Sequence, residues 1–239
     1  RGALLKKPYE DDPHHQGLLL TPIDEMKKMA QFCLRYGYQL NTHGIGDSAN
    51  ALILDVYKPA FQRNPDHRFR IEHAQVIDPI DFSKFAEYAV FPSIQPTHAT
   101  SDHRWAEKRL GKKRLVGAYA YRSLLQQYGM LAVGTDFPIE KTNPFYTIHS
   151  AVQRSNYLGE PNPAFLPKES LTLDEVLRGM TIWAAFASFQ ERELGSLEKG
   201  KKANFVIFDK PIVSQPIYEQ NYAWRTFIAG KMVFALDEL

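Results

Sequence analysis

The sequence predicts an α/β fold built on a parallel sheet, and three observations carry that prediction. Short β-prone runs at 38–42, 68–72 and 130–135 end at or beside residues suited to metal or proton chemistry, namely His43, His73 and Asp136. A helical pattern follows each run. The strand-then-helix unit recurs four times, at intervals long enough for right-handed crossovers. Open and barrel forms of such sheets both collect chemistry at the carboxyl ends of their strands.

The elements follow in order. Residues 1–20 carry Pro8, Pro13 and Gly17 and read as a long loop over one face. Thr21-Pro22 signals a helix start, with Thr21 as N-cap, Pro22 in the first turn and Gly37 closing the helix after Tyr36. Strand 38–42 leads into a helix from about Asp47 to Phe61. Strand 68–72 precedes a helix opened by Asp78-Pro79. A third strand spans 89–95, weakened by Pro92. The polar, basic stretch 96–117 reads as a loop with a short helix, and 118–128 as a helix closed by Gly129. The fourth strand, 130–135, is followed by a helix near 144–155 and a proline-rich loop. One more helix starts at Leu171-Thr172-Leu173-Asp174-Glu175 and runs to Phe189. The texture then turns to β: a turn feeding a strand at 195–209, and a hairpin at 224–234 that reverses at Ala229-Gly230-Lys231. The boundary between the two textures falls at about residue 191.

The composition excludes several classes. With 44% apolar residues, 23% charged residues and a net charge of +2, the 239-residue chain is ordinary for a globular domain and carries no basic stripe for nucleic acid. A single cysteine, Cys33, rules out an internal disulfide framework. No apolar stretch is long enough to span a bilayer, so no membrane partner is expected and the cytoplasm is the expected location. The chain opens at Arg1 on what reads as mid-domain sequence, and is expected to be a piece of something longer.

Imidazole and carboxylate are the ligands that zinc and its relatives favour in catalytic sites. His43 and His73 are one βα unit apart, so they project from neighbouring strands about 4.8 Å apart. Asp136 is placed to ligate the same ion or to take a proton from its water. His98, in Gln95-Pro96-Thr97-His98, follows a strand end and opens onto the same rim as a catalytic or substrate-contacting group. His103 and Arg104 belong to the stretch beyond and are candidates to line a substrate pocket. His67 lies at the amino end of its strand, on the stabilising face, and Phe32, Tyr36, Trp183, Phe186 and Phe189 read as core at helical spacing. No Gly-x-Ser-x-Gly elbow and no phosphate-cradling glycine loop occurs.

These strand ends resemble the amidohydrolase superfamily, and more narrowly its family 3 branch of metal-dependent hydrolases. The matching pieces are Thr42-His43-Gly44-Ile45-Gly46-Asp47, Ile71-Glu72-His73-Ala74-Gln75, Ser93-Ile94-Gln95-Pro96-Thr97-His98, Gly134-Thr135-Asp136-Phe137-Pro138, Asn143-Pro144 and the run from Leu194 to Phe205. The resemblance implies a (β/α)8 TIM barrel of which this chain supplies strands five to eight over residues 1–190. Residues 191–239 would be the carboxyl-terminal portion of a flanking β-sandwich. It implies His43 and His73 as metal ligands, Asp136 as a ligand and proton shuttle, and His98 over the substrate. The expected cofactor is a divalent metal, zinc, with one or two ions in the complete protein. The expected reaction is hydrolysis of an amide or other C–N bond in a small-molecule substrate by metal-activated water. The family's His-x-His from strand one is absent, as is the strand-four ligand, so the chain is expected to start just after strand four. A barrel closes with eight strands, so the missing amino-terminal half or self-association is expected to complete it. The rival expectation is a catalytically incompetent chain that retains inherited ligands.

Overall fold

The computed structural model describes residues 1–212 and 222–236; the rest of the 191–239 region lies outside the described residues. Eight α-helices and seven strands order these residues. The first helix, α1 (Ile23–Tyr36), is closed by Gly37, whose φ of 72° lets its N–H reach the Cys33 carbonyl. Pro22 itself takes the N-cap position, one residue later than the sequence implied, and makes no side-chain cap.

Four parallel strands follow: β1 (Asn41–Gly44), β2 (Arg70–His73), β3 (Phe91–Ile94) and β4 (Ala132–Val133). They pair in strict chain order, β1-β2-β3-β4. A doubly wound sheet reverses its strand order at a switch point. Sequential order instead carries each right-handed crossover to the same face, as in an arc of a barrel. Between β1 and β2 lies α2 (Asp47–Arg63), and between β2 and β3 lies α3 (Phe82–Glu87), preceded by a 3-10 turn that the Asp78 side chain caps.

After β3 comes α4 (Pro96–Leu110), a fifteen-residue helix where sequence reasoning expected a loop with a short helix. Gln95 is its N-cap and Pro96 its first residue, so the strand passes directly into the helix. Lys108 and Arg109 sit in its last turn, where they complement the helix dipole. The remaining barrel-side helices are α5 (Tyr121–Tyr128), α6 (Pro144–Gln153), α7 (Leu173–Met180) and α8 (Ile182–Ala187). Thr172 and Glu175 form a capping box at the start of α7. The single helix expected over 171–189 is broken at Thr181, whose φ and ψ of −126° and −95° leave the helical region. The break turns α8 under the amino ends of the strands. There the Ala187 carbonyl accepts from Gln39 and Arg70, and Arg68 reaches Phe186 and Glu191.

Register fixes the two faces of the sheet. Asn41 and His43 pair with Arg70 and Glu72, which pair with Phe91 and Ser93, and Ser93 pairs with Ala132. These residues form the concave wall. The opposite face meets the helices. A Cβ on Gly44 would lie 2.8 Å from the Ile53 Cδ1 of α2 and 3.0 Å from the Ile71 Cγ2, so a larger residue there would have to displace these methyl groups. Ile71, Ile94, Phe85, Leu124 and Val176 are sealed in the layer between sheet and helices. Phe32, Tyr36 and Phe189, expected in the core from their helical spacing, are instead half exposed, and α1 buries only Ala30 and Cys33.

The carboxyl-terminal strands β5 (Phe205–Phe208), β6 (Ala223–Ile228) and β7 (Lys231–Ala235) make a separate antiparallel sheet. The hairpin turns at Ala229-Gly230, as the sequence predicts. Phe208 packs edge-on against Phe145 of α6, with ring centroids 5.2 Å apart. Among the described residues no helix is long and apolar enough to cross a membrane.

Candidate metal centre

The carboxyl ends of the four strands converge on one rim. His43 is the penultimate residue of β1, and its ring meets that of His73 edge-on at 4.5 Å between centroids. His73 closes β2 with φ of 77°, and Asp136, beyond β4, has φ of 62°. Both are left-handed conformations that non-glycine residues rarely adopt. Departure from the regular strand at these two points aims the side chains along the rim instead of across the sheet.

His73, His98 and Asp136 each offer a ligand atom within 4.8 Å of the other two. His98 enters this group from the first turn of α4, and its ring lies 5.6 Å from that of His73. Its Nε2 is 3.2 Å from Asp136 Oδ2, and its Nδ1 is 3.3 Å from Glu140 Oε1. Glu140 also accepts from the Ser101 hydroxyl at 2.7 Å. His43 stands beside the group, in contact with His73 but outside the 4.8 Å set.

The electrostatics differ between the two buried imidazoles. Burial, helped by the neighbouring His43 ring, pushes the His73 pKa down to about 4, so it is neutral at physiological pH. Burial also opposes charge on His98, but hydrogen bonding to Glu140 and the carboxylates of Asp102, Glu140 and Asp136 outweigh it and raise its pKa. Glu140 is held below the usual carboxylate range by the same His98 contact.

Donor type and surroundings fit a divalent metal. His73 Nδ1 is buried without a hydrogen-bond partner. A neutral imidazole with such an orphaned nitrogen is matched by coordination, since a buried polar atom left unpaired is costly.

The cluster opens into a cavity of about 560 Å³. Besides His43, His73, His98 and Asp136, it is lined by Gln75, Asp102, Trp105 and Tyr119. The other two sequence candidates sit elsewhere. His103 turns a ring nitrogen to the Thr100 carbonyl at 2.8 Å, and Arg104 forms an exposed ion pair with Glu160 at 2.7 Å. Neither is among the residues that line this cavity. His67 bonds to the Tyr88 carbonyl and the Phe69 amide, a structural role at the amino end of β2. Sequence reasoning missed Glu140, Asp102 and Tyr119. The signal available for Asp102 was its position four residues after His98, on the same face once the segment is helical.

Two imidazoles and a carboxylate gathered at the carboxyl rim of parallel strands define an α/β protein with a candidate metal centre, and sequence comparison assigns it to a family. A model described as "Amidohydrolase family" matches residues 1–234, and the chain belongs to that family, in its family 3 branch. The chain is 36% identical to Protein LONG AFTER FAR-RED 3 of Arabidopsis thaliana, over 97% of its own length and 40% of that protein's. It is 29% identical to the N-substituted formamide deformylase of Arthrobacter pascens, over 90% of its length and 40% of the relative's. Among solved structures, a metal-dependent hydrolase from Pyrococcus horikoshii superposes with a TM-score of 0.77 at 30% identity, covering 85% of this chain and 40% of that one. The chain thus spans about two fifths of the length of each of these relatives.

Proposed function

We propose that the chain forms strands five to eight of a (β/α)8 barrel, with residues 191–239 as part of a flanking β-sandwich, in a hydrolase of amide or other C–N bonds. The observation that carries the reading is the meeting of His73, His98 and Asp136 at one rim, with His43 against His73. The formamide deformylase relative supports the C–N bond as the target.

His43, His73 and Asp136 would hold a divalent ion, zinc by the chemistry of the donors. Such an ion supplies Lewis acidity that lowers the pKa of a coordinated water from 15.7 to about 7. Asp136 accepts the proton that water loses on attacking the carbonyl carbon and returns it to the leaving nitrogen as the C–N bond breaks. The products are a carboxylic acid and an amine. His98, held at Nδ1 by Glu140, would turn its Nε2 from Asp136 to donate a hydrogen bond to the substrate carbonyl oxygen as charge develops on it. The low pKa of His73 keeps that ring unprotonated and available as a ligand at neutral pH.

A second reading, a chain that keeps these ligands without turning substrate over, is favoured by the concave wall. Asn41 and His43 are exposed on it, and no His-x-His occurs in the sequence. In either reading the missing half-barrel or another copy covers this wall. Metal analysis with an N-formyl and N-acetyl amine hydrolysis screen separates the two, on this chain and on the complete polypeptide. Stoichiometric zinc and turnover that both vanish in His73→Ala support the hydrolase. Absence of both from the complete polypeptide refutes it.

A further inference from the structure

The helix α4 lays chemically distinct side chains along one wall of the cavity. His98, Asp102, Trp105 and Arg109 all line it, spaced by four, three and four residues, which is one helix face. At about 1.5 Å of rise per residue, Asp102 stands about 6 Å along the axis from His98, and Trp105 about 10 Å.

Asp102 is fixed from behind. Its Oδ2 accepts from the Tyr119 hydroxyl at 2.8 Å and the Gln75 amide at 3.3 Å, and that amide also donates to the Tyr119 oxygen at 3.1 Å. Tyr119 is itself fully buried. These donors set the plane of the carboxylate and leave Oδ1 without a donor among the described residues. Leu5, Val76, Leu110 and Ile139 supply an apolar lining around it. A pre-oriented acceptor in such surroundings is matched only by a donor that the ligand brings. Charge points the same way. An anion entering this cavity meets Asp102 and Asp136, while the two cations in its lining, Arg1 and Arg109, are both engaged by Asp11, at 3.1 and 3.0 Å.

We infer that Asp102 determines substrate specificity. It reads a cationic, hydrogen-bond-donating nitrogen about one helical turn from the scissile bond, and Trp105 carries the aromatic or aliphatic group beyond. The substrate class is therefore an N-acyl compound bearing a second, basic nitrogen and an apolar tail. The inference rests on the hydrolase reading above, which makes this cavity the substrate site.

Its test does not depend on turnover. 3-Phenylpropylammonium and 3-phenylpropanoate have the same apolar body and opposite charge, and their binding to the chain is measured by calorimetry. The ammonium probe is expected to bind at least tenfold more tightly, as befits a hydrogen bond to a charged group. Asp102→Asn keeps an acceptor for Tyr119 and is expected to erase the preference. Equal binding of the two probes by the unmodified chain overturns the inference, as does a preference that survives in folded Asp102→Asn. Should that variant fail to fold, the Trp105 indole N–H resonance decides in the unmodified chain, assigned by its loss in Trp105→Phe. It shifts with the ammonium probe if the inference holds, and an unmoved resonance overturns it. Charge-selective binding without amide hydrolysis would count against the hydrolase reading alone. Hydrolysis without charge selectivity would count against Asp102 alone.

Discussion

The buried imidazole of His73 gives the folded protein an acid sensitivity whose size can be worked out. The perturbation is His73→Gln, studied in the presence of a chelator so that only protons compete for the ring. In the folded chain the ring takes up its proton near pH 4, against 6.5 for the ordinary value that an unfolded chain shows. Because the folded value is depressed, the contribution of neutral His73 to stability is fully present above pH 6.5. It is lost as the pH falls through that window towards 4. A gap of about two and a half pH units, at about 1.4 kcal/mol per unit, amounts to about 3 kcal/mol of stability. His98 acts in the opposite sense. Its folded pKa is raised, so its contribution is present below its unfolded value and fades as the pH rises through the folded one. That part is common to both proteins and largely cancels in the comparison. Urea unfolding at a series of pH values between 7 and 4 reads the difference, since a stability change moves the midpoint without changing the slope. The unmodified chain is expected to lose about 3 kcal/mol more than His73→Gln across this range. Parallel acid profiles would show that the ring is not desolvated in the way its contacts imply.

Three other outcomes follow from particular contacts. Glu140→Gln removes the carboxylate that orients His98, and metal affinity or turnover is expected to fall 10–100-fold with the fold retained, checked by zinc titration and circular dichroism. Arg68→Ala strips the partner from Glu191 and from the Phe186 carbonyl, and removes a guanidinium stacked 3.7 Å over the Phe186 ring. A loss of about 3 kcal/mol in urea unfolding is expected, because the groups left behind are partly buried. Gly46→Ala places a Cβ 1.9 Å from the Leu4 carbonyl oxygen, a backbone atom that cannot swing aside. The opening segment should lift from the β1–α2 turn, costing about 2 kcal/mol and exposing residues 1–20 to limited proteolysis.

The candidate metal centre was more legible in the sequence than the cavity beside it. His43, His73 and Asp136 stand at the ends of β-prone runs, and strand-end position is a local signal. The first strand was misplaced, 38–42 against Asn41–Gly44, because Tyr38 and Gln39 are β-prone and yet serve as lead-in after the Gly37 cap. The helix α4 was hidden by its composition. Its buried residues include Thr97, His98 and Thr100 beside Pro96, Ala99, Ala106 and Leu110, so no clean apolar period announces it. Its period is carried by the cavity-lining residues instead. Phe32 and Tyr36 have the spacing of a core stripe and are exposed, since α1 lies at the outer edge and packs chiefly on α2. No proline marks the break at Thr181, and Gly179, two residues earlier, is its one local signal. The break is imposed from outside the helix, where Gly195 sits so close that a Cβ there would be 2.7 Å from the Ile182 Cα and 3.0 Å from the Thr181 oxygen. Glu140 and Tyr119 owe their roles to neighbours distant in sequence, which no motif at either position records.

The absence of a loop between β3 and α4 bears on how this rim can change over evolutionary time. In many barrels the segment after a strand grows, shrinks and flexes, and new specificities arise through its length. Here Gln95 and Pro96 weld sheet to helix, so insertions would break the continuity that holds His98 in place. Adaptation along this wall is confined to exchanging one side chain for another at fixed heights. Relatives with different preferences are therefore expected to differ at positions 102, 105 and 109 while conserving the length of the segment.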